Sequence, residues 1–320
     1  MKTLPLSLSI FGSAVLVAQS SLGQIVYSDN FDAGTSAGSW TAVLSQADAF
    51  ANFAYDYGAI GIPSAPHSTG GTTIGMNFLA NQSAGVQQGI SASPNGQSFA
   101  GDFQLRFDMW LNYNGPLAGG GNGTTQVGSF GWGTSGASAQ WAGSSSSIMF
   151  GADGDGGSTF DYRLYRNNAL VSPSVIPGTY AAGNTTSPDS RNNTDIYYTS
   201  KFGGASAPAN QLTLYPAQTG VTDPGTLGFA WRDVIIQRIG STVTWSVDGF
   251  LIATASTTGA TLSGDNIFFG LFDINNTSST EVDDFLITAI YDNVVVSVPE
   301  PTSLMLVGIG GLVLLARRRK

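Results

Sequence analysis

Apolar and polar residues alternate along much of residues 24–298, and no stretch there sustains the period of an amphipathic helix. The clearest run is 103–111, where Phe103, Leu105, Phe107, Met109 and Leu111 take every odd position. Successive side chains on a strand point to opposite faces, so the odd face belongs to a core and Gln104, Arg106, Asp108, Trp110 and Asn112 share the other. Further strands are expected at 25–31, 160–165, 229–239, 243–247, 250–254, 266–272, 285–290 and 291–298. Asp248-Gly249, between two of them, supplies the two positive-φ positions of a tight hairpin turn. Loops rich in Gly, Ser and Asn fall at 115–125, 143–147 and 180–193; the glycine-rich stretch 115–158 holds no convincing domain boundary, and whether it is an insertion is left open by the sequence. Many moderate strands joined by short turns predict an all-β chain folded as one jelly-roll β-sandwich over residues 24–298.

Composition supports that reading and narrows it. Charged residues make up 10% of the chain while glycine contributes 42 positions, so polarity comes from Ser, Thr, Asn and Gly, as in turn-rich β structure. The apolar fraction of 42% is enough to build a core. The formal charge is −9, and without the two terminal segments it becomes −13, with Lys201 the only lysine left. Such a body repels phosphate backbones, so nucleic acid is not an expected partner. Disulfides, thiolate nucleophiles and Cys-type zinc sites are excluded by the absence of cysteine.

The ends have a different character. Lys2, an apolar run over 4–17 and small residues at 18–23 form a secretion signal helix over residues 1–23, with cleavage expected after Gly23 or, alternatively, after Ser20. At the other end Pro299-Glu300-Pro301 leads into an apolar helix at 304–316 and then Arg317, Arg318, Arg319 and Lys320. Thirteen apolar residues fall short of the ~20 that span a bilayer, so the expected insertion into the inner membrane is transient, basic end inward. The tail over 299–320 closely resembles the PEP-CTERM sorting signal. That resemblance implies an exosortase as partner, recognition through Pro299, Glu300, Pro301 and the arginines, and delivery to the outer surface or matrix of a Gram-negative bacterium, often one making exopolysaccharide.

Residues 225–298 resemble the concanavalin A-like lectin/glucanase superfamily, including laminin-G-type modules, through 234–240, the Val-Asp-Gly-Phe turn at 247–250, the strand holding Gly270 and the closing 291–296. The superfamily's glucanases carry paired glutamates on a strand. Here the only glutamates are Glu281 and Glu300, the second in the tail, so a glycosidase pair is missing and no enzymatic activity is expected. His67, the single histidine, reads as an exposed loop residue without a nucleophile elbow. Asp153-Gly154-Asp155-Gly156-Gly157 departs from the EF-hand pattern and reads as an acidic turn.

Two binding constellations remain. Gln104, Arg106, Asp108, Trp110 and Asn112, with Asp161, Arg163 and Tyr165 from a second strand, could present a glycan face; the alternative buries Trp110 under a loop, the commoner fate of a large aromatic. Asp29, Asp32 and Asp292, on the first and last strands, are candidate ligands for a structural calcium ion, since hard oxygens suit that cation. No other cofactor is implied. The functions in view are a non-catalytic polysaccharide-binding surface protein, a purely structural or adhesive one, and a hydrolase or lyase of unrecognised type.

Overall fold

A computed structural model describes residues 23–80, 82, 85–115, 124–172, 179–183, 190–275 and 283–298. The expected terminal helices, the sorting residues from Pro299 to Lys320 and Glu281 lie outside them. Among the described residues no helix is long and apolar enough to cross a membrane.

Among the described residues fifteen strands run in chain order: β1 (Gln24–Asp29), β2 (Trp40–Leu44), β3 (Ala49–Asp56), β4 (Ile74–Ala80), β5 (Gly89–Pro94), β6 (Phe103–Asn112), β7 (Gln126–Thr134), β8 (Ile148–Ala152), β9 (Tyr162–Arg166), β10 (Ala169–Leu170), β11 (Arg232–Ile239), β12 (Thr242–Val247), β13 (Phe250–Ser256), β14 (Asn266–Asp273) and β15 (Thr288–Val298). They form two antiparallel sheets, the all-β sandwich that the alternation predicts. The first has the order β13-β12-β11-β6-β15-β4-β3, with β1 also paired to β15; the second has the order β10-β9-β8-β7-β14-β5-β2. The short helices α1 (Ile196–Thr199) and α2 (Ala209–Leu214) lie in the long connection between β10 and β11.

Alternation in β6 is realised as read: Phe103, Leu105, Phe107, Met109 and Leu111 all enter the core between the sheets. Phe107 meets Phe269 at 4.8 Å and Phe130 at 5.2 Å between ring centroids, both from the opposing sheet. Each such buried ring contributes roughly 1.5–3 kcal/mol through lost apolar area. Tyr291 of β15 reaches across the same core, its Oη donating toward the carbonyls of Ser129 (3.0 Å) and Gly270 (2.8 Å). A polar handle is thus satisfied without leaving the apolar layer. Asp248 and Gly249 take φ of 50° and 80°, so the expected hairpin turn joins β12 to β13.

Two expectations need correction, and one question the sequence leaves open is answered. The stretch 115–158 is no insertion, because β7 and β8 are buried, adjacent strands within the second sheet. Glycine hides them from a reading of side-chain pattern while being required by the packing: a Cβ on Gly131 would overlap the Ile148 carbonyl and the Phe268 ring, and one on Gly128 would stand 2.5 Å from Leu111 Cδ2. The strand expected at 229–239 starts only at Arg232, since Phe229 takes φ of 53° and turns the chain. Lastly, 285–290 and 291–298 are not two strands. A 3-10 turn at Asp284–Leu286 precedes the single strand β15, which bulges between Asp292 and Val295.

Candidate functional site

The even-numbered face of β6 points away from the inter-sheet core, and residues from 57 to 72 cross over it. A 3-10 turn at Tyr57–Ile60 opens this crossing, held by Asp56, whose carboxylate accepts from Gly58 N (3.0 Å) and Thr73 Oγ1 (2.7 Å). Tyr57, Ile60, Ile62 and Ala65 then pack with Trp110, Tyr113, Phe229 and Leu286 into a second apolar layer. Trp110 is 2% exposed, with its ring 5.6 Å from that of Trp231 and its Nε1 donating to Asn112 Oδ1 (3.0 Å). Asn112 donates in turn to the Leu286 carbonyl (2.8 Å). Both residues are structural cover, and Trp110 offers no free ring face.

Beyond Trp110 the same face is polar. Asp108, fully buried, accepts from the His67 backbone N–H (3.1 Å) and from Asn293 Nδ2 (2.9 Å) on Oδ2. Its Oδ1 lies 2.6 Å from His67 Nδ1. A carboxylate can only accept here, so Nδ1 carries the proton and Nε2 is left to accept from Arg106 Nη2 at 2.7 Å. Arg106 also grips Asp233 with two bonds, Nε to Oδ1 (2.7 Å) and Nη2 to Oδ2 (3.0 Å), the fork geometry in which guanidinium and carboxylate match best. His67 is therefore exposed, as expected of a loop residue, yet held through both ring nitrogens.

Asn293 sits in the bulge of β15 at φ of 52°, a backbone state that Asn tolerates better than most residues. The bulge aims its amide at Asp108 and at Ser68 Oγ (3.1 Å). Next to it Asp292 accepts from Tyr57 Oη (2.9 Å), Ser68 Oγ (3.1 Å) and Asn293 N (2.7 Å). Burial nevertheless pushes the Asp292 carboxyl up to about 7, against the lowering pull of these donors. It also lifts the Tyr57 hydroxyl, with the Asp292 charge adding to the effect.

Over this network opens a cleft of about 450 Å³, lined by Asp29, Asn30, His67, Thr69, Arg106 and Asn293 among others. Its floor comes from β6 and the β15 bulge, and β1 contributes to its wall.

The expected glycan face is not one surface. Gln104, Arg106, Asp108, Trp110 and Asn112 stand on the first sheet, whereas Asp161, Arg163 and Tyr165 belong to or adjoin β9 of the second, where Tyr165 packs with Phe268 and Phe272. Of the eight, only Arg106 reaches the cleft. The expected calcium ligands do not converge either. Asp29 turns its carboxylate to Phe31 N (2.9 Å), Ser36 Oγ (2.8 Å) and Trp40 Nε1 (2.9 Å), Asp32 accepts from Asn30 Nδ2 (2.6 Å), and Asp292 serves the Tyr57 network. Among the described residues, the one set of three ligand atoms within 4.8 Å of one another is His67, Asp108 and Asp233. Arg106 already fills the place of a cation there, so the set as built does not fit a metal ion.

Sequence reasoning missed Asp233, Tyr57, Ser68 and Asn293. Only His67 carried a signal, as the single histidine; the rest are joined by contacts across up to 235 positions of chain.

Residues 297–320 match the PEP-CTERM protein-sorting motif. A tail of this kind marks an exported protein sorted to the cell surface, with an exosortase as its sorting partner. No curated protein matches the chain. Among solved structures it is similar to a Bacillus licheniformis β-glucanase, at 12% identity over 85% of this chain and 97% of that one, TM-score 0.40. It is also similar to a protein from work on endo-acting O-glycanases of the human gut microbiota (12% identity, 87% and 100%, TM-score 0.41) and to a Bacillus subtilis protein of unknown function with a galectin-like fold (8%, 86% and 96%, TM-score 0.38). None of these likenesses assigns a role to a residue of this chain.

Proposed function

We propose that this protein is displayed on the outer surface or in the extracellular matrix of a Gram-negative bacterium and that its jelly-roll sandwich binds a neutral polysaccharide without cleaving it. The observation that carries this reading is the open cleft of about 450 Å³ over a network whose polar groups hold one another in place. Fixed amide, hydroxyl and guanidinium groups exchange hydrogen bonds with sugar hydroxyls at little reorganisation. Pairing favours a neutral ligand: Arg106 is matched by Asp233, and the Asp29 carboxylate is taken by local donors. Saturation supports a non-catalytic role. His67 has no free ring nitrogen, and Asp108 accepts three donors, so neither is placed to pass a proton to a glycosidic oxygen.

The test is affinity electrophoresis of the full chain through gels loaded with neutral bacterial and algal polysaccharides, with an assay for new reducing ends. Selective retardation is expected, falling at least tenfold when Thr69→Trp plugs the cleft, with no new ends formed. No retardation by any polymer would leave a purely structural surface protein, and new reducing ends would turn the reading to a hydrolase.

A further inference from the structure

Away from the cleft, the loop after β8 buries three carboxylates together: Asp153, Asp155 and Asp161 are each at most 1% exposed. Three like charges out of water are strongly unfavourable unless each meets donors or a counter-charge. Backbone donors meet part of that need. Asp155 accepts from Gly157 N (2.8 Å) and from Thr124 N, Asp161 Oδ2 from Asn193 N (2.7 Å), and Asp153 Oδ1 from Asp155 N (3.2 Å).

What remains is one oxygen on each of two residues. Asp153 Oδ2 and Asp161 Oδ1 are buried and meet no hydrogen-bond partner. No lysine or arginine forms an ion pair with the three among the described residues. Arg163, itself buried, is near enough for Asp161 to feel its charge, but it makes no ion pair there: its outer nitrogens go to Ser158 Oγ (3.0 Å) and Tyr165 Oη (3.4 Å), and its Nε meets no partner. The half-buried Asp223 adds a fourth negative group beside Asp155. Burial, and then the neighbouring aspartates, push the Asp153 carboxyl well above its usual range, and burial takes Asp161 up to about 7. The place calls for positive charge.

The atoms it offers to a cation are carboxylate oxygens, and the chain wraps round it at Gly156, whose φ of +94° suits glycine and whose Cβ would press on Asp223, Thr226 and Asn193. Oxygen donors in an adaptable loop suit calcium better than magnesium, which demands near-ideal octahedral geometry and keeps its water. We propose that Asp153, Asp155 and Asp161 form a calcium site, with Asp153 Oδ2 and Asp161 Oδ1 as its free carboxylate ligands. Their carboxylate oxygens are not all within 4.8 Å of one another, so binding requires Asp153 Oδ2 and Asp161 Oδ1, which hold no hydrogen bond, to swing toward Asp155. The bound ion ties the start of β7, through Thr124, to the β8–β9 loop and to the chain at Asn193. This site is independent of the glycan reading.

The full chain, stripped with chelator, is titrated with calcium and with magnesium by calorimetry and thermal melting. One calcium per chain is expected, with a rise in Tm of about 5 °C at a hundredfold excess over Kd, and a weaker response to magnesium. Asp153→Asn and Asp161→Asn should each weaken binding at least tenfold, while Asp292→Asn binds as wild type. Should either variant fail to fold, terbium emission from the wild-type chain, sensitised through the neighbouring Tyr113 and Tyr162 and displaced by calcium, reports the same site. Absence of calcium heat and of terbium emission, or unchanged affinity in Asp153→Asn, would overturn the proposal.

Discussion

Two groups of aspartates are buried in this sandwich, one on each sheet, and they are finished to different degrees. Around β6 and β15, both oxygens of Asp108 and of Asp292 are met by donors from Tyr57, His67, Ser68 and Asn293. Around the β8–β9 loop, Asp153 and Asp161 each leave an oxygen unmet. A buried carboxylate with a full set of donors is part of the architecture, whereas one with a vacancy reports something still to be bound, proton or cation. The first group positions a cleft, and the second has the character of a site.

The largest test of this contrast is Asp108→Ala. Three donors lose a buried acceptor together, and about 3–5 kcal/mol of stability should go, read as a lower urea midpoint at unchanged slope. Retention of most of the stability would show that the network is not finished in the sense described.

Next in size is a dependence on pH. The Asp292 carboxyl stands at about 7 in the folded chain, above its unfolded value, so between those two values the folded state binds more protons. Its contribution to stability therefore grows as pH falls from about 7 toward about 4, by at most about 4 kcal/mol, and is lost as pH rises through 7. Asp292→Asn should flatten that part of the stability–pH curve, measured by urea unfolding at several pH values. An unchanged slope would place the titration elsewhere.

Substitution in the second group should change stability in the direction opposite to Asp108→Ala. With calcium chelated, Asp153→Asn takes one of three mutually repelling acids out of a buried loop and should raise stability by about 1–2 kcal/mol, seen as a higher Tm. A loss of stability in chelator would mean that Asp153 is already satisfied, and the contrast between the two groups would collapse. Smallest is Asn293→Gly. The positive φ is kept, but the bonds to Asp108 and Ser68 go, at a cost of about 1 kcal/mol in the same unfolding assay.

Much of the scaffold was legible, and the reason is local. Alternation in β6 needs only neighbours in sequence, as does the Asp248-Gly249 turn, and both appear where the pattern puts them. β7 escaped because its glycines answer to the Ile148 carbonyl, the Phe268 ring and Leu111, partners that sequence does not display. The site was legible in parity alone. Arg106, Asp108, Trp110 and Asn112 do leave the inter-sheet core, but which of them water reaches depends on the crossing at 57–72, and Trp110 lies beneath it. Asn293 owes its role to a bulge, and nothing in Asp-Asn-Val-Val announces one.

The position of β15 has a mechanical side. It carries the last described residue, Val298, and lies between β6 and β4 rather than at a sheet margin. A load applied to the chain beyond Val298 enters a strand paired with β6 up to Ser297 and joined on its other side to β4 and β1, not a flap at the edge of the sheet. A protein held by that end in flowing water would transmit drag straight into the middle of its sheet, where rupture requires many bonds to fail together.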